Sequence, residues 1–308
     1  MSAAFEPIAP RPAPVPTEGL RPWLRANLFG SVASSIATLA IAALAIYVLR
    51  SVLTWGVVDA VFAPDLAACQ HARGSGACWG VIDEKLRVIL FGRYPFGQQW
   101  RPAAATLLLL ALLVLSCIRF FWRTWLVLVW LAVIPAYFVL MGGGVRGLEP
   151  VPTASWGGLP LTLLLATFGI VLAFPIAIVV ALGRRSGLAA IHTLSVTFVE
   201  LIRGVPLISV LFMASFMFPL FMPVGKSPDV LLRVLAGITL FEAAYLAEVV
   251  RGGLQAIPKG QVEAAQSLGL GYWQTQRKIV LPQALALVVP GIMNTFIAIF
   301  MDTSLVTI

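Results

Sequence analysis

Charged side chains are scarce in this sequence. Asp, Glu, Lys and Arg make up only 11% of its 308 residues, while 60% are hydrophobic; soluble domains carry about 25% charged residues. So few charges cannot cover a water-facing surface, which makes lipid the solvent for most of the chain. The net charge of +8 is spread over loops between apolar runs. This distribution favours a charge bias across a bilayer over nucleic-acid binding.

Residues that carry metal sites and enzyme chemistry are also few. His71 and His192 are the only histidines and stand far apart, so no metal-ligand pattern forms. The tripeptide GKS at 225–227 resembles the end of a phosphate-binding loop, but that loop needs a glycine five positions before its Gly-Lys pair. Leu220 stands there. No nucleophile elbow or HExxH motif occurs, so the sequence predicts neither an enzyme nor a metal centre.

Long apolar runs are abundant instead. A helix needs about 20 mostly apolar residues to cross a bilayer, and seven runs approach that length. They lie at roughly 30–49, 103–118, 125–141, 159–182, 195–221, 231–250 and 279–301. The predicted fold is therefore all-α and polytopic.

Lysine and arginine in the short loops predict the orientation of these spans. The basic clusters all fall on one side if the chain alternates from a cytoplasmic N-terminus; they are Arg21 with Arg25, Arg119 with Arg123, Arg184 with Arg185, and the stretch from Arg251 to Lys278. The outer loop 50–102 breaks the pattern with several arginines of its own. Because the rule weakens for long loops, the alternation still predicts a cytoplasmic N-terminus.

Glycine and proline divide the chain into segments. Residues 1–25 are Pro-rich and predict a disordered cytoplasmic tail. Three accessory spans with the outer loop 50–102 occupy 26–141, a Gly- and Pro-rich linker covers 142–158, and a second bundle occupies 159–308. The last residues, MDTSLVTI, open an apolar stretch that has barely begun, which leads us to expect a further span.

Two cysteines lie close together in the outer loop. Cys69 and Cys78 have eight residues between them, and the outer side of the membrane is oxidising. We predict a disulfide between them; the alternative is two free thiols in a loop.

The stretch GQVEAAQSLGLGYWQTQRKIVLP, residues 260–282, is too polar to cross a membrane. Pro258 suits the first turn of a helix and Gly269 suits its left-handed end, which predicts a helix from Lys259 to Leu268 on the positive side. Val262, Ala265 and Leu268 would share one face of it. A helix resting on lipid prefers large apolar anchors and a basic polar face, whereas this one is rich in glutamine and carries an acid. Docking onto protein is the better prediction.

A charged side chain inside a membrane span is costly, so each one is a candidate functional residue. Glu200 and Arg203 are three residues apart and could pair on a helix. Glu242, Tyr245 and Glu248 recur every three residues and share a face. They could form a polar wall of a translocation path; the alternatives are interhelical ties or residues at the membrane interface.

Two further polar residues, Asn294 and Asp302, flank the last apolar run. They could cap the helix or line the path, and both alternatives stay open.

The polar stretch resembles the EAA signature of importer ABC permeases. Glu263, Ala264 and Ala265 are followed by Gly269 and then by Ile279 with Leu281-Pro282. Three other stretches resemble the polar amino acid branch of that family: ELIRGVPLISVLF, EAAYLAEVVRGGLQAIPKGQ and DTSL. In the N-terminal part, two stretches are similar to the extended permeases of general L-amino acid importers: ACQHARGSGACWGVI and GRYPFGQQWRP. Those importers include glutamate, glutamine, aspartate and asparagine systems. The resemblance covers nearly all of 20–308.

The resemblance implies a type I ABC importer core after three accessory spans, in a bacterial inner membrane. It implies a second permease subunit, such as a paralogous partner, an ATPase dimer that holds ATP and Mg, and a periplasmic binding protein that delivers an L-amino acid. This chain itself would hold no cofactor. The coupling helix, carried by Glu263, Ala264, Ala265, Leu268 and Gly269, would sit in a groove of the ATPase. Family members continue with one more span after the DTSL position.

The sequence thus predicts the permease subunit of an ATP-driven importer of polar L-amino acids. Two alternatives remain. One is an ABC permease for another small solute, such as an opine or a peptide derivative. The other is a secondary transporter driven by an ion gradient, which would need no docking helix and often shows inverted repeats.

Overall fold

The computed structural model describes residues 19–145, 147–223 and 225–306. Helices are the only extended regular elements in these ranges, and a single isolated β-bridge joins Val61 to Cys78. The α-helices are α1 Leu20–Asn27, α2 Val32–Leu53, α3 Leu66–His71, α4 Gly80–Phe91, α5 Trp100–Cys117, α6 Thr124–Gly142, α7 Gly158–Gly183, α8 Ala189–Arg203, α9 Leu207–Phe212, α10 Val230–Ala256, α11 Lys259–Ser267, α12 Tyr272–Thr275 and α13 Leu281–Asp302. α1 overlaps the end of the predicted disordered tail, so the chain is already helical at Leu20.

Six helical segments of the described chain are long and apolar enough to cross a membrane. They are Val32–Val58, Trp100–Cys117, Thr124–Gly142, Gly158–Gly183, Val230–Ala256 and Tyr272–Leu305. A seventh span would be made by α8 together with Leu207–Phe221, two segments that are bent by 98°. The predicted all-α polytopic fold is confirmed.

The continuous fifth span predicted at 195–221 is wrong. α8 ends at Arg203, and α9 begins only after Pro206, whose backbone is extended at φ −61° and ψ 143°. Proline has no N–H to donate and disfavours helical geometry at the residue before it. The Gly204-Val205-Pro206 sequence therefore breaks one apolar run into two helices.

The last span is longer than the predicted 279–301. It starts at Tyr272 and passes through a π-helical turn, Gln276–Val280, into α13. Arg277 and Lys278, predicted in a loop, are therefore part of this helical segment.

The chain divides into two compact units, one ending at Leu86 and one beginning at Arg87. In the first unit, α2 starts with a capping box at Ser31 and ends in a π-turn. The indole Nε1 of Trp79 donates to the Gly56 carbonyl at 2.7 Å. Gly80 lies so close to the preceding chain that a Cβ there would be 2.1 Å from the Ala63 carbonyl oxygen.

A disulfide joins Cys69 at the end of α3 to Cys78 just before α4, with 5.5 Å between their Cα atoms. It closes the loop that the β-bridge from Val61 also holds. A short closed loop of this size contributes roughly 2–3 kcal/mol.

We expect both thiols to resist alkylation in intact cells grown without reductant, because the bridge blocks them. Mass spectrometry of protein alkylated before and after reduction measures this, with Cys117, which is free and exposed, as the internal control for reagent access. Full alkylation of Cys69 and Cys78 before reduction would contradict both the bridge and an oxidising location for this loop.

In the second unit α10 is the central helix and packs along α7 through small side chains. Every fourth residue of α7, Ala173, Ala177 and Ala181, is fully buried, as are Ala243 and Ala247 of α10. Small residues let two helix backbones approach closely, which is the main source of helix association where lipid removes the hydrophobic drive. A rigid helix pair therefore connects the two ends of this unit.

The linker before α7 is pinned by polar contacts. Arg101, which is 1% exposed, donates from Nε to the Leu140 carbonyl at 2.7 Å and from Nη1 to the Glu149 carbonyl at 2.9 Å. The Thr153 hydroxyl donates to the carboxylate of Asp229, the N-cap of α10, at 2.7 Å. The linker thus ties α5 and α6 to the start of the central helix.

Candidate functional site

The predicted polar helix is present as α11. Pro258 is its N-cap rather than its first residue, with extended backbone at φ −60° and ψ 140°. Gly269 follows the helix at φ +75°, a left-handed conformation that glycine adopts without steric cost because it has no Cβ. The Gly269 N–H donates to the Gln266 carbonyl at 2.9 Å and the Leu270 N–H to the Ala265 carbonyl at 3.1 Å, which closes the end of the helix.

One face of α11 is anchored and the other is open. Ala265 is 3% exposed, and Val262 packs against the hydrophobic cluster formed mainly by α7, α10 and α13. Leu268 was predicted to share this face, but it lies past the last turn and is 81% exposed. Glu263 and Ala264 are exposed as well.

The open surface continues into the start of the last span. Tyr272 is 56% exposed and Trp273 is 71% exposed, and they follow the exposed Leu268 by four and five residues. Exposed large apolar side chains that stand together, with polar residues around them, mark interaction sites. We call Glu263, Ala264, Leu268, Tyr272 and Trp273 the α11 surface.

A glutamine holds α11 against the last span. The Gln283 Nε2 donates to the Gln261 side chain at 3.3 Å and to the Ile279 carbonyl at 2.9 Å. Ile279 lies in the π-turn Gln276–Val280 that leads into α13. Sequence reasoning missed this bridge, because one glutamine among several carries no signal of its own.

A second group of predicted residues meets at Glu248 of α10. Arg184, at the end of α7, lies 2.9 Å from one carboxylate oxygen, and Arg203, at the end of α8, lies 3.9 Å from the same oxygen. The other oxygen accepts from Nε of Arg251 at 3.0 Å and from its Nη2. We call Glu248 with these three arginines the Glu248 cluster. It joins three helices at one carboxylate.

The spacing on α8 suggested that Glu200 and Arg203 pair with each other. They do not pair in the structure. Glu200 forms an ion pair with Arg184 at 3.2 Å and is 63% exposed. Arg203 turns instead towards α10, where its guanidinium carbon lies 5.3 Å from the centre of the Tyr245 ring. That ring also stacks on Phe241 at 4.8 Å.

Glu242 is buried, at 3% exposure, in the middle of α10. Within the described residues, no hydrogen bond or ion pair reaches its carboxylate, although Asp302 lies near enough to act on it electrostatically. The hydroxyl of Thr239, three residues earlier, is buried and has no partner among the described residues either. Asn294 is exposed on α13 and Asp302 is half-buried at its end. Asp302 thus acts electrostatically on Glu242, but no hydrogen bond or ion pair joins Glu242, Asn294 and Asp302 within the described residues.

No group of three or more His, Cys, Asp or Glu side chains in the described parts of the chain could hold a metal ion. Three polar groups of the second unit remain as candidates for function: the α11 surface, the Glu248 cluster, and Glu242 with Asp302.

Comparison with known sequences matches residues 173–308 to the family of the binding-protein-dependent transport system inner membrane component. Over 306 residues the chain is 47% identical to the inner membrane amino-acid ABC transporter permease protein YhdY of Escherichia coli (strain K12), covering 97% of this chain and 82% of that protein. Over 365 residues it is 35% identical to the glutamate/glutamine/aspartate/asparagine transport system permease protein BztC of Rhodobacter capsulatus, covering 98% and 84%.

Among solved structures, the crystal structure of an amino acid ABC transporter with histidines is 28% identical. The match covers 47% of this chain and 66% of that chain, with a TM-score of 0.41.

Proposed function

The chain belongs to the family of binding-protein-dependent transport system inner membrane components, and from that premise we propose that it is the permease through which an ATP-driven importer takes up polar L-amino acids. Two relatives that match along most of their length support this substrate class: one is an amino-acid permease, and the other is a permease for glutamate, glutamine, aspartate and asparagine. Six apolar spans are in keeping with a multi-pass protein of the bacterial inner membrane.

The observation that carries the proposal is the α11 surface. α11 lies between two spans, buries Ala265 on one face and exposes Glu263 and Ala264 on the other. Tyr272 and Trp273, at the start of the last span, add exposed aromatic side chains. A short helix with this arrangement suits docking in a groove of another protein. We assign the ATPase to that position, so that Glu263, Ala264, Ala265, Leu268 and Gly269 transmit its motion to α10 and α13.

This assignment sets the orientation. α11 and the Glu248 cluster lie at the same end of α10, which is then the cytoplasmic end, and the N-terminus is cytoplasmic as well. A second permease subunit completes the path, and a periplasmic binding protein delivers substrate from the opposite side. ATP and Mg are held by the ATPase, and this chain supplies the path and the coupling surface.

We expect reconstituted transporter to accumulate glutamate, glutamine, aspartate or asparagine only when ATP is inside the compartment that faces α11 and binding protein is on the other side. Radiolabelled uptake into proteoliposomes measures this, with and without a protonophore. An ion-driven carrier would keep uptake without ATP as long as its ion gradient is present, and a proton-driven one would lose it with the protonophore; either result would contradict the proposal.

A further inference from the structure

The Glu248 cluster has more positive than negative charge. It contains three guanidinium groups, and Glu248 and Glu200 are the carboxylates that pair with them. Arg184 and Arg251 make close contacts with Glu248, whereas Arg203 lies 3.9 Å away, at the limit of an ion pair, and makes no hydrogen bond within the described residues. Arg203 is therefore the least compensated cation of the cluster.

Tyr245 holds Arg203 without using its donors. A guanidinium that lies over an aromatic ring interacts through its face, and its five N–H donors stay available in its own plane. The Arg203 side chain is 37% exposed and Tyr245 is also 37% exposed. A pre-positioned, partly exposed guanidinium of this kind is suited to bind a planar carboxylate through two hydrogen bonds.

Arg203 meets α10 at Tyr245, one helical turn from Glu242, and this offset favours one carboxylate of the ligand over the other. Tyr245 follows Glu242 by three residues, so the two lie on one face of α10 about 5–6 Å apart at their Cβ atoms. A ligand that spans them needs a positive group at one end and a negative group one helical turn away. The α-ammonium and α-carboxylate of an amino acid share one carbon and are too close, whereas the side-chain carboxylate of glutamate or aspartate lies further out.

We propose that Arg203, stacked on Tyr245, binds the side-chain carboxylate of acidic amino acids in the translocation path, while Glu242 faces the ammonium group. The proposal rests on the proposed function and deepens it. Glu248 neutralises Arg203 when the path is empty, and the incoming carboxylate replaces this weak contact with a closer one. Arg203 stands next to the break between α8 and α9, where the chain can adjust to the ligand.

The test compares each acid with its own amide, because glutamate and glutamine, like aspartate and asparagine, have nearly the same shape and differ in charge. In the assembled transporter with saturating binding protein, Arg203→Gln should lower the maximal uptake rate of the acids about tenfold more than that of the amides, as expected for the loss of a charged hydrogen bond. Arg203→Lys should show an intermediate effect, because it keeps the charge and loses the planar donors.

The matched control is Arg185→Gln. Arg185 lies at the same end of the bundle but donates to the Leu254 carbonyl at 2.7 Å, so its loss should change acid and amide uptake alike. If Arg203→Gln does not assemble, Tyr245→Leu tests the same idea, since removal of the ring frees the guanidinium and should also reduce acid uptake selectively.

An unchanged ratio of acid to amide uptake in these variants would overturn the inference and assign Arg203 a purely structural role. Failure of the proposed function has a different signature, because the wild-type transporter would then show no ATP-dependent uptake of either amino acid.

Discussion

Replacing Gly269 by aspartate should abolish ATP-driven uptake while the spans remain inserted in the membrane. Gly269 ends α11 at φ +75°, and a Cβ added there would have no heavy atom of the described chain within 4 Å. The new side chain therefore has open space within the described chain, and its cost inside this subunit is the backbone strain of a side chain at positive φ. Docked in a protein groove, however, the new carboxylate would be buried without a partner, which is costly.

The expected result is at least a tenfold fall in ATPase that co-purifies with the permease, since an unpaired charge in an interface commonly costs more than about 1.4 kcal/mol, which corresponds to a factor of ten. Uptake should fall to background. Insertion should be unchanged because it depends on the hydrophobicity of the spans themselves.

Two further variants separate charge from backbone strain. Asparagine has nearly the same shape as aspartate and tolerates the left-handed conformation, but it carries no charge. Gly269→Asn should therefore retain most ATPase binding. Gly97→Asp adds the same charge to an exposed glycine in the other polar region, between α4 and α5, and should leave ATPase recovery intact. Equal ATPase recovery for Gly269→Asp and wild type, together with normal uptake, would exclude α11 as the coupling helix.

Features that depend on neighbouring residues could be predicted from the sequence. The positive φ of Gly269 follows from its place after a short polar helix, and the inward direction of Ala265 follows from helical spacing. The break at Pro206 has a local cause too, although an apolar run that continues across it suggested a single span. The 98° angle between its two halves depends on packing against other helices, and no residue pattern encodes it.

Features that depend on residues far apart in the chain could not be predicted. Arg184, Arg203 and Glu248 come from three helices, and their meeting requires the packing of α7 and α8 on α10. The spacing on α8 alone favoured a local pair of Glu200 with Arg203, but tertiary packing gave each of them a partner on another helix. The glutamine bridge between Gln261 and Gln283 depends in the same way on how α11 folds back onto the last span.

The second large effect is expected at Glu242. A carboxylate that ties helices together should have a donor, and within the described residues none reaches this one, while the neighbouring Thr239 hydroxyl is also without a partner. Burial of a charged group without a partner destabilises a protein, so its presence is better explained by a ligand that arrives during transport.

Glu242→Gln should therefore lower uptake of all substrates by about tenfold or more, because every amino acid carries the ammonium group that would lose a charged hydrogen bond. The yield and thermal stability of the complex should be equal to or higher than those of the wild type, since a buried charge is replaced by a neutral group of the same shape. Uptake in proteoliposomes and thermal unfolding of the purified complex measure the two effects. The control is Glu84→Gln, which removes an exposed carboxylate that pairs with its neighbour Lys85 and should change neither. A fall in folded yield with normal transport per assembled complex would instead make Glu242 an interhelical tie, because only a structural contact loses stability without slowing the passage of substrate.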